Sequence, residues 1–438
     1  MRFLFAGLFA VGIGSSIAFA QTSPAPLPST RLSAPLMLEQ AEQIALKNHP
    51  RVGSAAFTVQ AAGQVVRETR SAYFPTAVAN ATGALANTGT ALAAGAVTTS
   101  SLSNRFASGV NLVQLVTDFG RTRDLTRSAR LRFEAENDNL IGVRAQVILA
   151  VRSAYYGVLA SDAVLKVAQA ALSSRQVLLR QITALSQSAL KSTLDVSFAQ
   201  VLVSEAQLAV YQAENSGEEA RAQLATAMGY QKIDNLTLVD QELPGALNPD
   251  MQSLIAQALA QRPDLLEREK NRDAAYQFAQ AEKKLSLPTI GLAAVAGVVP
   301  VRDHTLPHDN YEAAGLNISI PVFNGGLFSA RRTEAFYRAQ AADKDVQDFS
   351  LQVSRDVQSA WYQANTAYRR LAVTGELVTQ TNQALRLAQA RYDAGLGGIV
   401  ELNQAQFSQI SAQIDAASAK YDYLNRRTAL DYAIGMFR

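Results

Sequence analysis

The sequence predicts a mainly helical protein with a membrane β-barrel, in which one structural unit is used twice. Three observations lead to this fold class. The two halves repeat the same residues at fixed offsets, each half contains a very long helical stretch without proline, and each half contains two stretches with strand character. Two halves this alike are expected to form pseudo-symmetric parts of one object rather than independent domains.

The N-terminal residues have the pattern of an export signal. Arg2 precedes an apolar run, and Ala18-Phe19-Ala20 forms an A-x-A cleavage site, so residues 1–20 are predicted to be a signal peptide. The proline-rich residues 21–35 are predicted to form an extended leader. Because the chain contains no cysteine, we expect no lipid anchor after the cleavage site.

Short motifs define the duplication. Three of them recur 206 residues later, namely Ala154-Tyr155-Tyr156 as Ala360-Trp361-Tyr362, Ala227-Met228-Gly229 as Ala433-Ile434-Gly435, and Gly109-Val110-Asn111-Leu112 as Gly315-Leu316-Asn317-Ile318. Motifs further upstream recur after 213 residues. Chance similarity is disfavoured because proline, glycine and aromatic positions match. The chain therefore divides into a first structural repeat at 36–228, a linker or equatorial segment at 229–250, and a second structural repeat at 251–438.

Each repeat is predicted to begin with two helices, because a residue before proline leaves the helical region at His49-Pro50 and Arg262-Pro263. Strands follow in each repeat, at about 73–86 and 106–118 and at about 286–299 and 312–323. The clearest alternation of apolar and polar residues lies in the last of them. Its apolar members are predicted to face lipid: Leu316, Ile318, Ile320 and Val322.

Long helices complete each repeat. They are predicted at 121–188 and 194–228, and at 327–394 and 400–436. At a rise of 1.5 Å per residue, the longer helix in each repeat reaches about 100 Å, which exceeds any small-domain core. Small residues throughout suit close antiparallel packing of the kind found in coiled coils.

The strands cannot form a complete membrane structure in one chain. Four strands cannot close a barrel, and an open sheet edge cannot face lipid because its backbone groups would lack partners. Copies must therefore combine, with eight strands in a dimer or twelve in a trimer. The helices are too long for the barrel and must continue into an aqueous compartment.

Composition excludes several classes of function. The 438 residues include no cysteine and three histidines, which leaves no thiolate ligand and few groups for catalysis. A net charge of +3 is too small for a nucleic-acid-binding surface. Since nucleotide-binding and hydrolase motifs are also missing, we expect no enzymatic activity, no catalytic residue, no metal, no cofactor and no nucleic-acid partner.

Several motifs, taken in order, resemble the TolC-type outer membrane efflux family. They are Tyr73-Phe74-Pro75-Thr76, Ser286-Leu287-Pro288-Thr289, Ile320-Pro321-Val322-Phe323-Asn324-Gly325-Gly326 and Arg391-Tyr392-Asp393-Ala394-Gly395. The resemblance implies a homotrimer whose twelve-stranded outer membrane barrel continues into a periplasmic α-barrel. It also implies an exit duct for an inner membrane pump, joined through a periplasmic adaptor protein, in tripartite efflux or type I secretion.

The resemblance places a periplasmic gate where the long helices turn. Asp195 and Glu401 are equivalent in the two repeats, and Tyr392 resembles a family tyrosine that hydrogen-bonds to the neighbouring turn, with Asp195 as the candidate acceptor. A trimer would form a ring of three Glu401 carboxylates. Gly397 stands where some members have a basic residue, which disfavours a charge-assisted latch. The alternatives are solvated carboxylates at helix starts and a tyrosine that only packs.

The turn residues between the long helices are the candidate adaptor contact: Ala189, Leu190, Gly395 and Leu396. Exposed leucines at a hairpin end favour a partner, and packing within the turn is the alternative. For the whole protein, the alternative to a passive channel is a coiled-coil envelope spacer or adhesin without transport activity.

Overall fold

The computed structural model describes residues 30–31, 35–84, 93–94, 97–98, 105–188, 191–234, 236–247, 249–301 and 308–437. The predicted signal peptide and most of the predicted leader lie outside these residues. So do Ala189 and Leu190 of the predicted adaptor contact. From the leader, Thr30–Arg31 is a short strand, β1, which pairs in parallel with β6, Ile233–Asp234, in the linker between the repeats.

The described residues include eight α-helices. They are α1 Leu38–Asn48, α2 Pro50–Ser71, α3 Arg121–Gln187, α4 Thr193–Ala227, α5 Met251–Gln261, α6 Pro263–Lys283, α7 Leu327–Asp393 and α8 Ile399–Ala433. Proline occupies the first position of α2 and of α6, where a missing N–H costs nothing. The preceding residues His49 and Arg262 are extended and therefore end α1 and α5.

Equivalent helices of the two repeats have matching lengths. Helices α3 and α7 each contain 67 residues, and α4 and α8 each contain 35. Each of the longest helices starts after a glycine with positive φ, Gly120 at 87° and Gly326 at 84°. Such a backbone conformation favours glycine, so the same turn starts the long helix in both repeats.

The remaining strands are β2 Thr76–Ala84, β3 Ala93–Ala94, β4 Val97–Thr98, β5 Arg105–Thr117, β7 Thr289–Val301 and β8 Asn310–Ser319. Four of them form one antiparallel sheet in the order β2-β5-β7-β8, and β3 pairs with β4. Each repeat thus contributes a hairpin, and the hairpins join through β5 and β7. Strands β2 and β8 are the edges of this sheet.

The last strand is shorter than predicted. Leu316 and Ile318 lie in β8, whereas Ile320 and Val322 lie beyond its end at Ser319. The strand prediction for Ile320 and Val322 was therefore wrong. Pro321 between them has no N–H to donate to a sheet, which ends the ladder there. All four side chains are exposed.

One row across the sheet is built around an aromatic ring. Gly109 on β5 pairs with Gly297 on β7, which pairs with Tyr311 on β8. A methyl group at either glycine would collide with the Tyr311 ring and with backbone of the neighbouring strand. The two glycines therefore allow Tyr311 to lie flat against the sheet.

The largest core cluster lies mainly in the first repeat, with Tyr421 and Leu424 of α8 added from the second, and it fixes the linker. Tyr155 on α3 is fully buried, and its hydroxyl lies 2.6 Å from the Val239 carbonyl and accepts from the Val239 N–H at 3.1 Å. Helix α3 is also the one described helix with an apolar stretch long enough to cross a membrane. Val147, Val151 and Val158 of α3 are buried in this cluster, where they pack against other parts of the protein.

Candidate gate at the helix tips

The tips of the two helical hairpins meet at the end of the molecule that lies furthest from the sheet. Tyr392, in the last turn of α7, is 3% exposed. It packs among side chains of both repeats, namely Leu178, Ile182, Ala199, Ile399 and Leu402. Hairpin α7–α8 is therefore held against hairpin α3–α4 through a small apolar core at their tips.

A lysine of the first repeat reaches Tyr392. Lys191 Nζ donates to the Tyr392 carbonyl at 3.0 Å and lies 3.8 Å from the centre of the Tyr392 ring. A cation over an aromatic face is attracted by the ring quadrupole, more strongly where water is excluded. These contacts join the turn of one hairpin to the last helical turn of the other.

The predicted hydrogen bond from Tyr392 to Asp195 is not formed. Asp195 instead accepts from the Ser192 N–H at 3.3 Å, while Ser192 Oγ accepts from the Leu194 N–H, so both side chains cap α4. The Tyr392 hydroxyl is buried without a hydrogen-bond partner. Burial, with the negative charges of Asp195 and Asp393, raises the pKa of Tyr392.

Glu401 is held by an arginine across its own turn. Arg391 Nε lies 3.0 Å from Glu401 Oε1, and both side chains are about half exposed. A Cβ at Gly397 would lie 3.0 Å from Glu401 Oε2 and 3.3 Å from Arg391 Cβ. Gly397 therefore leaves room for an ion pair within one turn, with the cation supplied by Arg391 of the helix. This pair does not join neighbouring turns, so the predicted lack of a charge-assisted latch between turns stays a prediction.

The α7–α8 turn leaves apolar side chains exposed. Gly395 has a φ of 72°, and the Leu396 N–H bonds back to the Arg391 carbonyl at 2.8 Å, as in a glycine-terminated helix. Leu396 is 73% exposed, and Leu194 and Val400, which are equivalent in the two repeats, are 60% and 67% exposed. The tip therefore combines a buried contact with an apolar outer surface.

Sequence reasoning missed two of these residues. Lys191 follows the predicted turn residues directly, and Arg391 stands next to Tyr392 in the motif Arg391-Tyr392-Asp393-Ala394-Gly395. The signal available was the presence of one cation beside each turn. Which cation reaches which acidic or aromatic group depends on how the two hairpins pack, and the spacing within either hairpin does not contain that information.

Comparison with known proteins identifies the family. The family described as outer membrane efflux protein matches residues 42–230 and 254–436, which together make up most of the chain. The chain belongs to the outer membrane efflux protein family. The match falls into two parts, in agreement with the two structural repeats.

Named relatives agree with this family. Outer membrane protein TolC of Salmonella enteritidis is 23% identical over 441 residues, which cover 93% of this chain and 83% of that protein. The toluene efflux pump outer membrane protein TtgI of Pseudomonas putida is 26% identical over 331 residues, covering 72% of this chain and 68% of that protein. These relatives support the predicted channel and give no support to the alternative of a spacer or adhesin.

The fold is shared with solved structures. The outer membrane protein VceC from Vibrio cholerae has a TM-score of 0.78 at 19% identity, covering 91% of this chain and 96% of that chain. The Campylobacter jejuni CmeC outer membrane channel has a TM-score of 0.77 at 18% identity, covering 91% of this chain and 85% of that one. The predicted family and fold class are therefore confirmed.

This outer membrane efflux protein is a channel in the bacterial outer membrane, with its helices in the periplasm. The four-stranded sheet is its membrane part. The tips of the helical hairpins lie at the opposite, periplasmic end.

Proposed function

We propose that the protein is a homotrimeric exit duct, closed at its periplasmic tip, which passively carries substrates delivered by an inner membrane pump through a periplasmic adaptor protein. It performs no catalysis. Twelve strands from three chains close the barrel and pair every edge, including β2 and β8, which are open in one chain. Leu316 and Ile318 then face the lipid of the outer membrane.

Pseudo-symmetry supports the assembly of several copies. In one chain α8 packs along α3, and Tyr156 and Ala145 of α3 are 5% and 3% exposed. Their equivalents on α7, Tyr362 and Leu351, are 56% and 72% exposed. Helix α4, the equivalent of α8, also exposes apolar side chains, Leu208 and Tyr211. A neighbouring copy would cover α7 with α4 and thereby repeat the packing of α8 on α3.

The observation that carries the gate is the contact of Lys191 with Tyr392, because it ties the two hairpins of a chain together at their tips. Opening the duct requires the tips to separate. In a trimer, three such contacts would hold the tips together, while the pair of Arg391 and Glu401 and the capping residue Asp195 each fix the shape of a single turn. Releasing these contacts exposes little apolar core, so a partner bound at the tip can shift the equilibrium from the closed to the open duct.

The exposed side chains at the turn fit an adaptor. Leu396 projects at the tip, with Gly395 setting the turn, and Leu194 and Val400 lie nearby in sequence on the returning helices. Ala189 and Leu190 of the other turn remain predicted adaptor contacts. Relatives named as parts of a toluene efflux pump and of alkaline protease secretion support both kinds of system for this duct.

A substitution at the tip tests this function. Leu396→Asp is expected to abolish export-dependent tolerance to toxic compounds in a strain lacking the native gene, because a charge cannot enter an apolar contact without loss. Leu396→Met is the matched control and should retain tolerance. Both variants should give normal amounts of trimer in the outer membrane. Full tolerance with Leu396→Asp would contradict the docking role.

A further inference from the structure

The chain passes between sheet and helix at four places, and at each of them an apolar residue lies nearer the sheet and a cation lies further along the helix. At each place an exposed large apolar side chain lies two to four residues from the strand end: Phe74, Phe119, Leu287 and Phe323. On the helix side of each crossing, an exposed cation lies within the two turns of the adjoining helix that are nearest the sheet: Arg70, Arg123, Lys283 and Arg332. Because the order holds at all four crossings, a trimer would repeat it around the whole circumference.

The apolar members are well exposed. Phe323 is 89% exposed, Phe74 is 65% exposed and Phe119 is 50% exposed. Phe119 also has a φ of 56°, in a turn where the equivalent residue of the second repeat is Gly325, with a φ of 61°. An aromatic residue thus occupies a backbone conformation that favours glycine, at the level where aromatic side chains line membrane interfaces.

Three carboxylates at this level are engaged by neighbouring groups, and one of them, the partly exposed Asp118, accepts from the Gly120 and Thr122 N–H groups at the start of α3. Glu282 and Asp124 have 1% and 9% of their side-chain surface exposed, and they pair with Arg121, Arg331 and Lys284 inside the junction. Arg123 lies 3.4 Å from Asp124 and still keeps 74% of its side-chain surface exposed. The exposed acids nearby are Glu68 and Glu334. The surface beside the apolar ring therefore carries an excess of positive charge, although the whole chain is only +3.

We propose that this belt, defined as the four apolar residues and the four cations above, binds the headgroups of anionic phospholipids in the periplasmic leaflet of the outer membrane. The apolar side chains would enter the interface, and the cations would lie at the level of the phosphates. Arg123 and Lys283 stand on α3 and α6, the two inner helices at this level, so neighbouring copies that join at α2 and α7 leave them uncovered.

The inference rests on the sheet crossing the membrane, and for a closed ring it rests on the proposed trimer. The test uses the purified full mature trimer in mild detergent, titrated either with a phosphatidylglycerol or with a phosphatidylcholine of the same acyl chains. Native mass spectrometry counts the lipids retained per trimer. Wild-type protein should bind the anionic lipid at least about tenfold more tightly than the zwitterionic one.

Two matched triple variants distinguish the effect of the belt cations from the effect of positive charge elsewhere on the protein. Removing three belt cations should abolish the preference for the anionic lipid: Arg123→Gln, Lys283→Gln and Arg332→Gln. Removing three exposed cations further along the long helices should leave the preference unchanged: Arg180→Gln, Arg369→Gln and Arg386→Gln.

Three results would overturn the inference. They are equal binding of both lipids by wild type, an unchanged preference in the belt variant, and an altered ion selectivity of the belt variant in a bilayer with its lipid preference intact. The last result would place these cations in the lumen. A wild-type trimer that binds lipid selectively but does not conduct would contradict the proposed function and leave the lipid belt standing.

Discussion

Glu282 joins three helices through a single buried carboxylate. It lies at the end of α6, and Arg121 of α3 and Arg331 of α7 approach it to 3.5 Å and 2.9 Å. Both helices begin directly after membrane hairpins. Glu282 therefore links the starts of the two longest helices at the boundary between sheet and helical part. The repeat offsets make Thr69, Leu125 and Leu327 the equivalents of Glu282, Arg331 and Arg121. Because these three residues carry no charge, the link occurs only once in the chain.

Glu282→Gln should lower the stability of the protein measurably. The loss of the charge leaves two guanidinium groups without their counter-charge and with one acceptor oxygen fewer, and since both are partly solvated we expect a loss of about 1–3 kcal/mol. The measurement is the apparent midpoint of thermal unfolding at a fixed scan rate. Glu334→Gln removes an exposed pair with Arg338 and should change stability by less than about 0.5 kcal/mol. Equal midpoints for the two variants would contradict the account.

His49 makes the start of α2 sensitive to pH. Its Nδ1 accepts from the Arg51 N–H at 3.2 Å, which requires the neutral ring. Burial, and then the positive charge of Arg51, lower the pKa of His49 from 6.5. Because the pKa of His49 is lower in the folded state, the stabilisation by its neutral ring is fully present above pH 6.5 and is lost as the pH falls through the folded-state pKa.

The comparison with His49→Asn isolates this effect. Asparagine also caps helices but does not titrate, so the thermal midpoint of wild type should fall relative to that of the variant as the pH is lowered from 7.5 to 5. Carboxylates elsewhere titrate equally in both proteins. A difference between the two midpoints that stays constant over this range would show that the His49 cap has no role.

The gate shows how far residue roles follow from the sequence. Matching the repeats placed Tyr392, Asp195 and Glu401 at the helix turns, and the structure places them there. The contact partners of these residues could not be predicted from the sequence. Asp195 is occupied by the cap of its own helix, and Tyr392 meets Lys191. Local capping competes with longer-range contacts, and the outcome is decided by packing between hairpins that are distant in sequence.

At the scale of elements, the row of Gly109, Gly297 and Tyr311 ties three strands together. The row includes the pair of β5 and β7, where the hairpins of the two repeats join. Tyr311 covers both glycines, so it supplies the packing that the glycines lack. The junction between repeats therefore depends on two residues without side chains.

Gly297→Ala should weaken this junction. The added methyl group collides with the Tyr311 ring and with the Ser108 carbonyl, and we expect a loss of about 1–3 kcal/mol. Gly315→Ala in β8 is the control, because a Cβ there meets nothing within 4 Å. Heat resistance of the folded trimer on gel electrophoresis is the measurement. Dissociation of Gly297→Ala and Gly315→Ala at the same temperature would show that the packing of Tyr311 on Gly297 does not stabilise the junction.

The long elements were easier to predict than the short ones. A constant offset of 206 residues requires equal helices in both repeats, and α3 and α7 indeed match in length. Strand ends depend on single backbone groups. Alternation over 316–322 continues past Ser319, but the ladder stops there because Pro321 has no N–H, and side-chain pattern does not report that loss.

At the scale of the whole molecule, one plan of hairpin, long helix and returning helix is used twice in a chain. The described chain leaves both sheet edges open and the α7 face uncovered, and three copies resolve both problems. In the proposed trimer, the tips are the point at which the duct closes. In this proposal, contacts between hairpins close the duct and a partner bound at the tips releases them.

The central claim is that these tip contacts keep a conducting duct closed. The direct measurement is the single-channel conductance of purified trimers in planar lipid bilayers. Wild type should show small openings, and Lys191→Met, which removes the cation above Tyr392, should open at least severalfold wider. Lys166→Met, an exposed lysine higher on α3, should behave as wild type. Equal conductance for Lys191→Met and wild type would contradict the gate, and no conductance by any of the three would contradict the channel itself.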